Sequence, residues 1–237
     1  MNADRPQSML AHLEELRWRI VKIATAIVAG GVLAFVFSEV IREWLEAPFH
    51  SAAPDADFQT LAVTEKWGVL MRIGLFGGLI IASPVVLYQI WAFITPALTR
   101  KERNWAVPIV AALFILFAAG VAFGYWSLPR GLDFLLGVFE DVENNLRLGD
   151  YYSFTLRFLL AFGIAFLFPV FLFAAAAAGA ISSRQLASGR RWAVLLIVIG
   201  AALITPSGDA FTLLLLSGPL YLMYEATYWL VRLVLRK

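Results

Sequence analysis

The sequence predicts an all-α integral membrane protein of six transmembrane helices, forming one domain over residues 1–237. Two observations carry this prediction. Hydrophobic residues make up 61% of the chain and charged residues only 15%, with a mean hydropathy of +0.77; a soluble domain carries roughly a quarter charged residues. The apolar residues also gather into five long runs, and about 20 such residues cross the hydrocarbon as a helix. The last run is divided by turn chemistry, which gives the sixth helix.

The first predicted span covers residues 20–38, the second 68–95, the third 104–128 and the fourth 152–178. After SSRQLASGRR, the apolar region 192–231 is interrupted at TPSGD (205–209), where Pro206, Gly208 and Asp209 favour a turn. Residues 192–205 reach only about 21 Å, against about 30 Å of hydrocarbon. The region therefore reads as two short helices, 192–205 and 210–231, with a re-entrant hairpin as the alternative. The polar first seventeen residues lack the apolar core and cleavage site of a removable signal peptide, so the first span is expected to serve as its own anchor.

Basic residues give the orientation. Arg5, Arg17, Arg19, Lys22, Arg100, Lys101, Arg103, Arg184, Arg190, Arg191, Arg232, Arg236 and Lys237 fall on one side. Only Arg42, Lys66, Arg130 and Arg147 fall on the other. Thirteen against four places both termini in the cytoplasm. The two long outer loops are acidic, and LDFLLGVFE (132–140) has the spacing of a short amphipathic helix lying along the interface.

Polar residues within spans are functional candidates by default. Arg72 and Arg157 lie close enough to span ends to snorkel. Glu225, inside YLMYEATYWL, is expected to be protonated or hydrogen-bonded. Gln89 lies at a similar depth, so a Gln89–Glu225 contact is expected, as structural glue or as part of a proton-linked step. Pro84, Pro169 and Pro219 each remove a backbone bond and should kink their spans. Gly30–Gly31 and Gly77–Gly78 permit close helix approach.

Most chemistry is excluded. The chain has no cysteine and only two histidines, His12 and His50. No metalloprotease, phosphate-loop or nucleophile-elbow motif occurs. No enzymatic activity, cofactor or nucleic-acid partner is expected.

Two stretches bordering the cytoplasm remain to be explained. HLEELRWR (12–19) sets Glu14 and Glu15 among arginines, and SPVVLYQIWAFITPALTRKERNWAVP (83–108) sets Glu102 among Arg100, Lys101 and Arg103. On a wheel of about 100° per residue, Leu10, Leu13, Leu16 and Ile20 share one face, and Glu15, Arg19 and Lys22 lie opposite. Glu14 falls on the flank with Trp18. Arg17 lies at the edge of the apolar face and is expected to be held by protein. The plain reading of Glu15 is an i,i+4 pair with Arg19, worth about 0.3–0.5 kcal/mol.

Together these stretches resemble the TatC family, the multi-span core of the twin-arginine protein translocase. The matching residues are His12-Leu13-x-Glu15-Leu16-Arg17-x-Arg19, Ala47-Pro48, Pro84-x-x-x-Tyr88-Gln89-x-Trp91-x-Phe93-x-x-Pro96-Ala97-Leu98 and Glu102-Arg103. Further along come Phe162-Gly163-x-x-Phe166 with Pro169, Thr205-Pro206 with Asp209, and Pro219-Leu220 with Tyr224-Glu225. The resemblance covers nearly the whole chain from residue 10. It implies a cupped arrangement of six helices in the cytoplasmic (inner) membrane. It implies a receptor for folded export substrates whose signal peptides carry two arginines, driven by the proton-motive force without nucleotide. TatA- and TatB-type single-span subunits, the bilayer and further copies of the chain are the implied partners.

The resemblance also assigns roles. Glu15, Arg17 and Glu102 are implied as the signal-binding surface, with Arg19 and Arg103 beside them. Pro48, Pro84, Gln89, Phe93, Asp209 and Glu225 are implied as structural or polar membrane positions. Fixed carboxylates suit this task, because they accept forked hydrogen bonds from guanidinium groups. Two departures stand out. Leu167 occupies a span-four position where many relatives carry Glu or Gln, and TPSGD is one residue longer than the common form around Asp209. A secondary transporter of a small solute, with kinked midplane helices, is the alternative, and a passive scaffold for partner helices is a third reading.

Overall fold

The computed structural model describes residues 9–54, 56–94, 106–137, 146–205 and 208–235. Helix α1 (Met9–Val36) runs 28 residues, about 42 Å at 1.5 Å per residue. It turns at Phe37 into α2 (Ser38–Ala52), an amphipathic helix that buries Leu45, Pro48 and Phe49 at helical spacing. Pro48 has no N–H to offer the carbonyl four residues back. The hydroxyl of Tyr125 donates to that carbonyl, Trp44 O, at 2.9 Å, and the two rings stack at 3.8 Å. The neighbouring carbonyl, Leu45 O, accepts the Tyr151 hydroxyl at 2.5 Å. Pro48 thus opens a docking point for side chains from elsewhere in the fold.

The second hydrophobic segment is built from α3 (Glu65–Arg72), a π-helical turn (Ile73–Gly77), α4 (Gly78–Ile81) and α5 (Ser83–Ile94). Its halves, Glu65–Ile81 and Ser83–Phe93, bend by 54°. Pro84, just past the break, supplies the cause through its missing N–H. Gly31 and Gly78 bring α1 and α4 into backbone contact: a Cβ on Gly78 would lie 2.5 Å from Gly31 N.

Helix α6 (Ala106–Leu136) follows, then α7 (Leu148–Ala165) and α8 (Phe168–Ala177), which are separated by a break at 166–167 with Pro169 near the start of α8. Residues 132–136 continue α6, with Leu132 buried in the core. Over these residues this replaces the expected separate interfacial helix, because the buried Leu128 and Leu132 lie one turn apart on a single stripe. Residues 138–140 of that segment lie outside the described residues. Glycine again sets helix spacing, since a Cβ on Gly120 would lie 2.5 Å from Phe162 O.

Helix α9 (Ser183–Ser188) opens with a reciprocal cap between Ser182 and Gln185. Helix α10 (Arg190–Ile204) and helix α11 (Ala210–Leu230) follow, and a π-helical turn (Val231–Leu235) continues from α11. Asp209 caps α11: its Oδ1 accepts Thr212 N at 2.7 Å, and its Oδ2 accepts the Thr212 hydroxyl. Gly208, just before Asp209, adopts φ +62°; Pro206 lies outside the described residues. Pro219 lies within α11, which stays helical from Ala210 to Leu230.

Among the described residues, three helical segments are long and apolar enough to cross a membrane: Leu13–Val36, Pro108–Leu136 and Leu148–Ala177. The bent pair around Ala82 makes a fourth. The main core joins Phe49, Leu128, Phe158, Phe162, Leu216 and their neighbours. A second apolar cluster holds Leu87, Trp91, Leu113, Phe117, Val170 and Leu167. The departure at Leu167 therefore sits among apolar side chains, where leucine needs no polar partner.

At the α2 end of the molecule, strands β1 (Phe58–Gln59) and β2 (Leu146–Arg147) pair in parallel, Phe58 opposite Leu146 and Gln59 opposite Arg147. Glu65 locks this ribbon. Its Oε2 accepts Leu61 N at 2.9 Å and Ala62 N at 3.3 Å, and its Oε1 accepts Gly149 N at 2.8 Å and Arg147 Nε at 3.0 Å. Gly149 N is one of the first-turn donors of α7 left without an intrahelical partner, so Glu65 caps another helix across the fold. Arg72 donates to Gly149 O at 3.1 Å.

Candidate functional site

At the end opposite α2, the first turns of α1 meet α5. Arg19 follows Glu15 by one helical turn, and its Nε and Nη2 both donate to Glu15 Oε1, at 3.0 and 2.5 Å. Its Nη1 donates to Gln89 Oε1 at 3.2 Å. A carboxylate, a guanidinium and an amide thus form a chain from α1 to α5. The side chains of Arg19 and Glu15 are only 19% and 25% exposed, and Gln89 is 8% exposed.

This arrangement corrects the expected Gln89–Glu225 contact. Helix α5 packs on α1 and α6, whereas α11 packs on α8, α9 and α10 among others, so Gln89 finds its partner on α1. The sense of the α1 wheel also becomes clear. Leu13 and Ile20 are 58% and 55% exposed, and the stripe bearing Glu15 and Arg19 turns inward. In a membrane the apolar face belongs to lipid, and charged groups face the protein interior.

Arg17 is exposed, contrary to the expectation that protein would hold it; its position on the wheel directs it outward from the α5 contact. Glu14 and Trp18 are exposed together, as expected. Phe93 is half-buried near the end of α5. Glu102 and Arg103 lie outside the described residues. Among the described residues, no three His, Asp or Glu side chains converge as a metal site.

A second polar cluster joins α10 and α11. Both Glu225 oxygens are engaged by Arg190, with Nε donating to Oε1 at 2.6 Å and Nη2 to Oε2 at 2.9 Å. Tyr221 donates to Oε1 at 3.2 Å, and the guanidinium of Arg190 lies 4.8 Å from the centre of the Tyr228 ring. Beside them, the Tyr224 hydroxyl donates to Leu186 O at 2.7 Å, tying α9 to α11. A forked guanidinium pair of this kind is among the stronger and more geometrically specific contacts a carboxylate makes. The hydrogen-bonded state, one of the two expected for this carboxyl, arises because α10 starts at Arg190 after Gly189, alongside α11.

Replacing Glu225 by Gln is expected to leave export near wild type, since the amide still accepts from Arg190. Glu225→Leu strands the guanidinium and lowers the thermal midpoint in detergent, and Arg190→Leu added to it recovers part of the loss. Loss of export by Glu225→Gln with an unchanged midpoint would point to proton linkage. Sequence reading missed Arg190 and Glu65 as hubs. The available signal was a lone Glu in one predicted helix with an Arg opening the helix beside it.

Comparison with known proteins places this geometry. Residues 11–219 match the family described as Sec-independent protein translocase protein (TatC). The chain is 39% identical over 230 residues to the TatC protein of Aquifex aeolicus, covering 95% of each. It is 37% identical over 232 residues to the chloroplastic TATC of Arabidopsis thaliana, covering 97% of this chain and 68% of that one. Its fold is similar to the crystal structure of the twin-arginine translocase receptor TatC in DDM, with TM-score 0.82 and 38% identity. That match covers 94% of this chain and 100% of the other. The chain is an all-helical, multi-pass membrane protein and belongs to the TatC family of Sec-independent protein translocase subunits.

Proposed function

We propose that the chain is the signal-peptide receptor and core subunit of a twin-arginine translocase, moving folded proteins across the cytoplasmic membrane with the proton-motive force. It spans that membrane six times as one domain, with both termini inside. The excess of thirteen basic residues over four supports this orientation. Helix α10, at 15 residues, is short for a span and is accommodated by local thinning of the bilayer.

Glu15, Arg17 and Glu102 form the surface that reads the signal, with Arg19 and Arg103 beside them. The observation that carries this reading is the half-buried Glu15 carboxylate of HLEELRWR, turned into the protein where guanidinium hydrogen bonds are strengthened by partial desolvation. Pro48, Pro84, Phe93, Gln89, Asp209 and Glu225 are structural or polar membrane positions of the fold. The partners are signal peptides with paired arginines, TatA- and TatB-type single-span subunits and further copies of this chain.

Binding of a labelled Arg-Arg signal peptide to the chain in lipid nanodiscs tests the assignment. Glu15→Gln and Glu102→Gln are each expected to weaken it about tenfold or more, as loss of a charged hydrogen-bond acceptor implies. Unchanged affinity in both variants would remove these residues from the surface.

A further inference from the structure

We infer that Arg19 is a built-in occupant of the Glu15 site, which an arriving signal arginine must displace. This inference deepens the receptor reading above and rests on it. Glu15 Oε1 already accepts two N–H groups of one guanidinium, the bonding that the reading assigns to the ligand. The occupant is also anchored from its far side, because Arg19 Nη1 donates to Gln89 on α5. Gln89 is buried and belongs to a different helix, so it acts as a positioning residue that keeps the guanidinium in the site.

The arrangement answers a physical problem. A carboxylate kept ready for a cation in a partly desolvated site is costly while it stands unpaired. Arg19 neutralises it from within the same helix. The signal then exchanges one guanidinium for another, and the displaced Arg19 remains nearby as a tethered competitor. Apparent affinity is the intrinsic affinity reduced by the fraction of receptors in which Arg19 has left. Every cationic ligand meets the same reduction, so Arg19 sets the threshold for binding without itself telling one ligand from another.

The test compares Arg-Arg, Lys-Lys and Gln-Gln versions of one labelled signal peptide on the full chain in nanodiscs. Arg19→Met keeps the aliphatic stem and removes the occupant. It is expected to tighten both cationic peptides by the same factor, about five- to tenfold, leaving their ratio unchanged. Gln89→Leu alone is expected to tighten both about two- to threefold. The double variant should bind no tighter than Arg19→Met, because the tether matters only through the occupant. Arg19→Lys, which keeps the charge and loses the fork, should fall between wild type and Arg19→Met, and it serves if the methionine variant does not fold.

Weaker binding by Arg19→Met, or a changed Arg-to-Lys ratio, would overturn the inference and make Arg19 a direct reader. A wild-type chain that binds the Arg-Arg peptide no better than the Gln-Gln peptide would overturn the receptor reading, and this inference with it. Normal discrimination by wild type with no gain in Arg19→Met overturns the inference alone.

Discussion

Cells whose only copy of this chain carries Glu15→Ala together with Glu102→Ala are expected to export none of a folded reporter bearing an Arg-Arg signal. The variant protein should still accumulate in the membrane. Hydrogen bonds to charged groups contribute about 1.5–3 kcal/mol each. Losing two charged acceptors therefore lowers signal affinity by roughly a hundredfold or more. The fold tolerates the change at Glu15, since Arg19 retains Gln89 as an acceptor and the site lies at one end of α1, away from the main core. Fractionation with immunoblotting of mature and precursor reporter reads the result, and protein level in the membrane fraction controls for insertion. Full export by the double variant would end the receptor assignment.

Gly78→Ala should cost more stability than any single polar substitution proposed above. The added methyl would sit 2.5 Å from Gly31 N, 2.6 Å from Gly31 Cα and 3.0 Å from Ile27 O, all of them backbone atoms. No side-chain rotation relieves such a clash, so α1 and α4 must move apart and lose contact along their length. Overpacking a tight site typically costs about 1–3 kcal/mol, and a backbone-to-backbone clash belongs at the upper end. Gly200→Ala and Gly68→Ala are the matched controls, because nothing lies within 4 Å of either position. They should leave the thermal midpoint unchanged or slightly raised, as alanine favours helix. Equal midpoints for Gly78→Ala and Gly200→Ala would mean that α1 and α4 do not meet as described.

Features that depend on local chemistry were legible in the sequence. The apolar runs announced the helices, and the missing N–H of Pro84 and Pro169 announced the breaks beside them. The glycine pairs at 30–31 and 77–78 announced a close helix approach. Features that depend on which helix becomes a neighbour were hidden. Gln89 and Arg19 are 70 residues apart, and Arg190 and Glu225 are 35 apart. No periodicity within one segment pairs them. The inward sense of the Glu15 face was hidden for a related reason: a wheel separates two faces, and the surrounding solvent decides which of them turns inward. Family membership retires the small-solute transporter reading of the kinked spans, since the bends at Pro84 and Pro169 occur in a fold shared with a translocase receptor.

The Glu65 lock has a consequence in biosynthetic time. Arg147, one of the groups that Glu65 binds, lies 82 residues further along the chain. At about 5–20 residues per second of synthesis, roughly 4–16 s separate the emergence of the two. During that interval β1 has no strand beside it, and the Glu65 carboxylate has neither Arg147 nor Gly149 to hold. The early helices must therefore wait in the membrane with this end of the protein unfinished. Its closure ties the start of α7 to the segment that leads into α3.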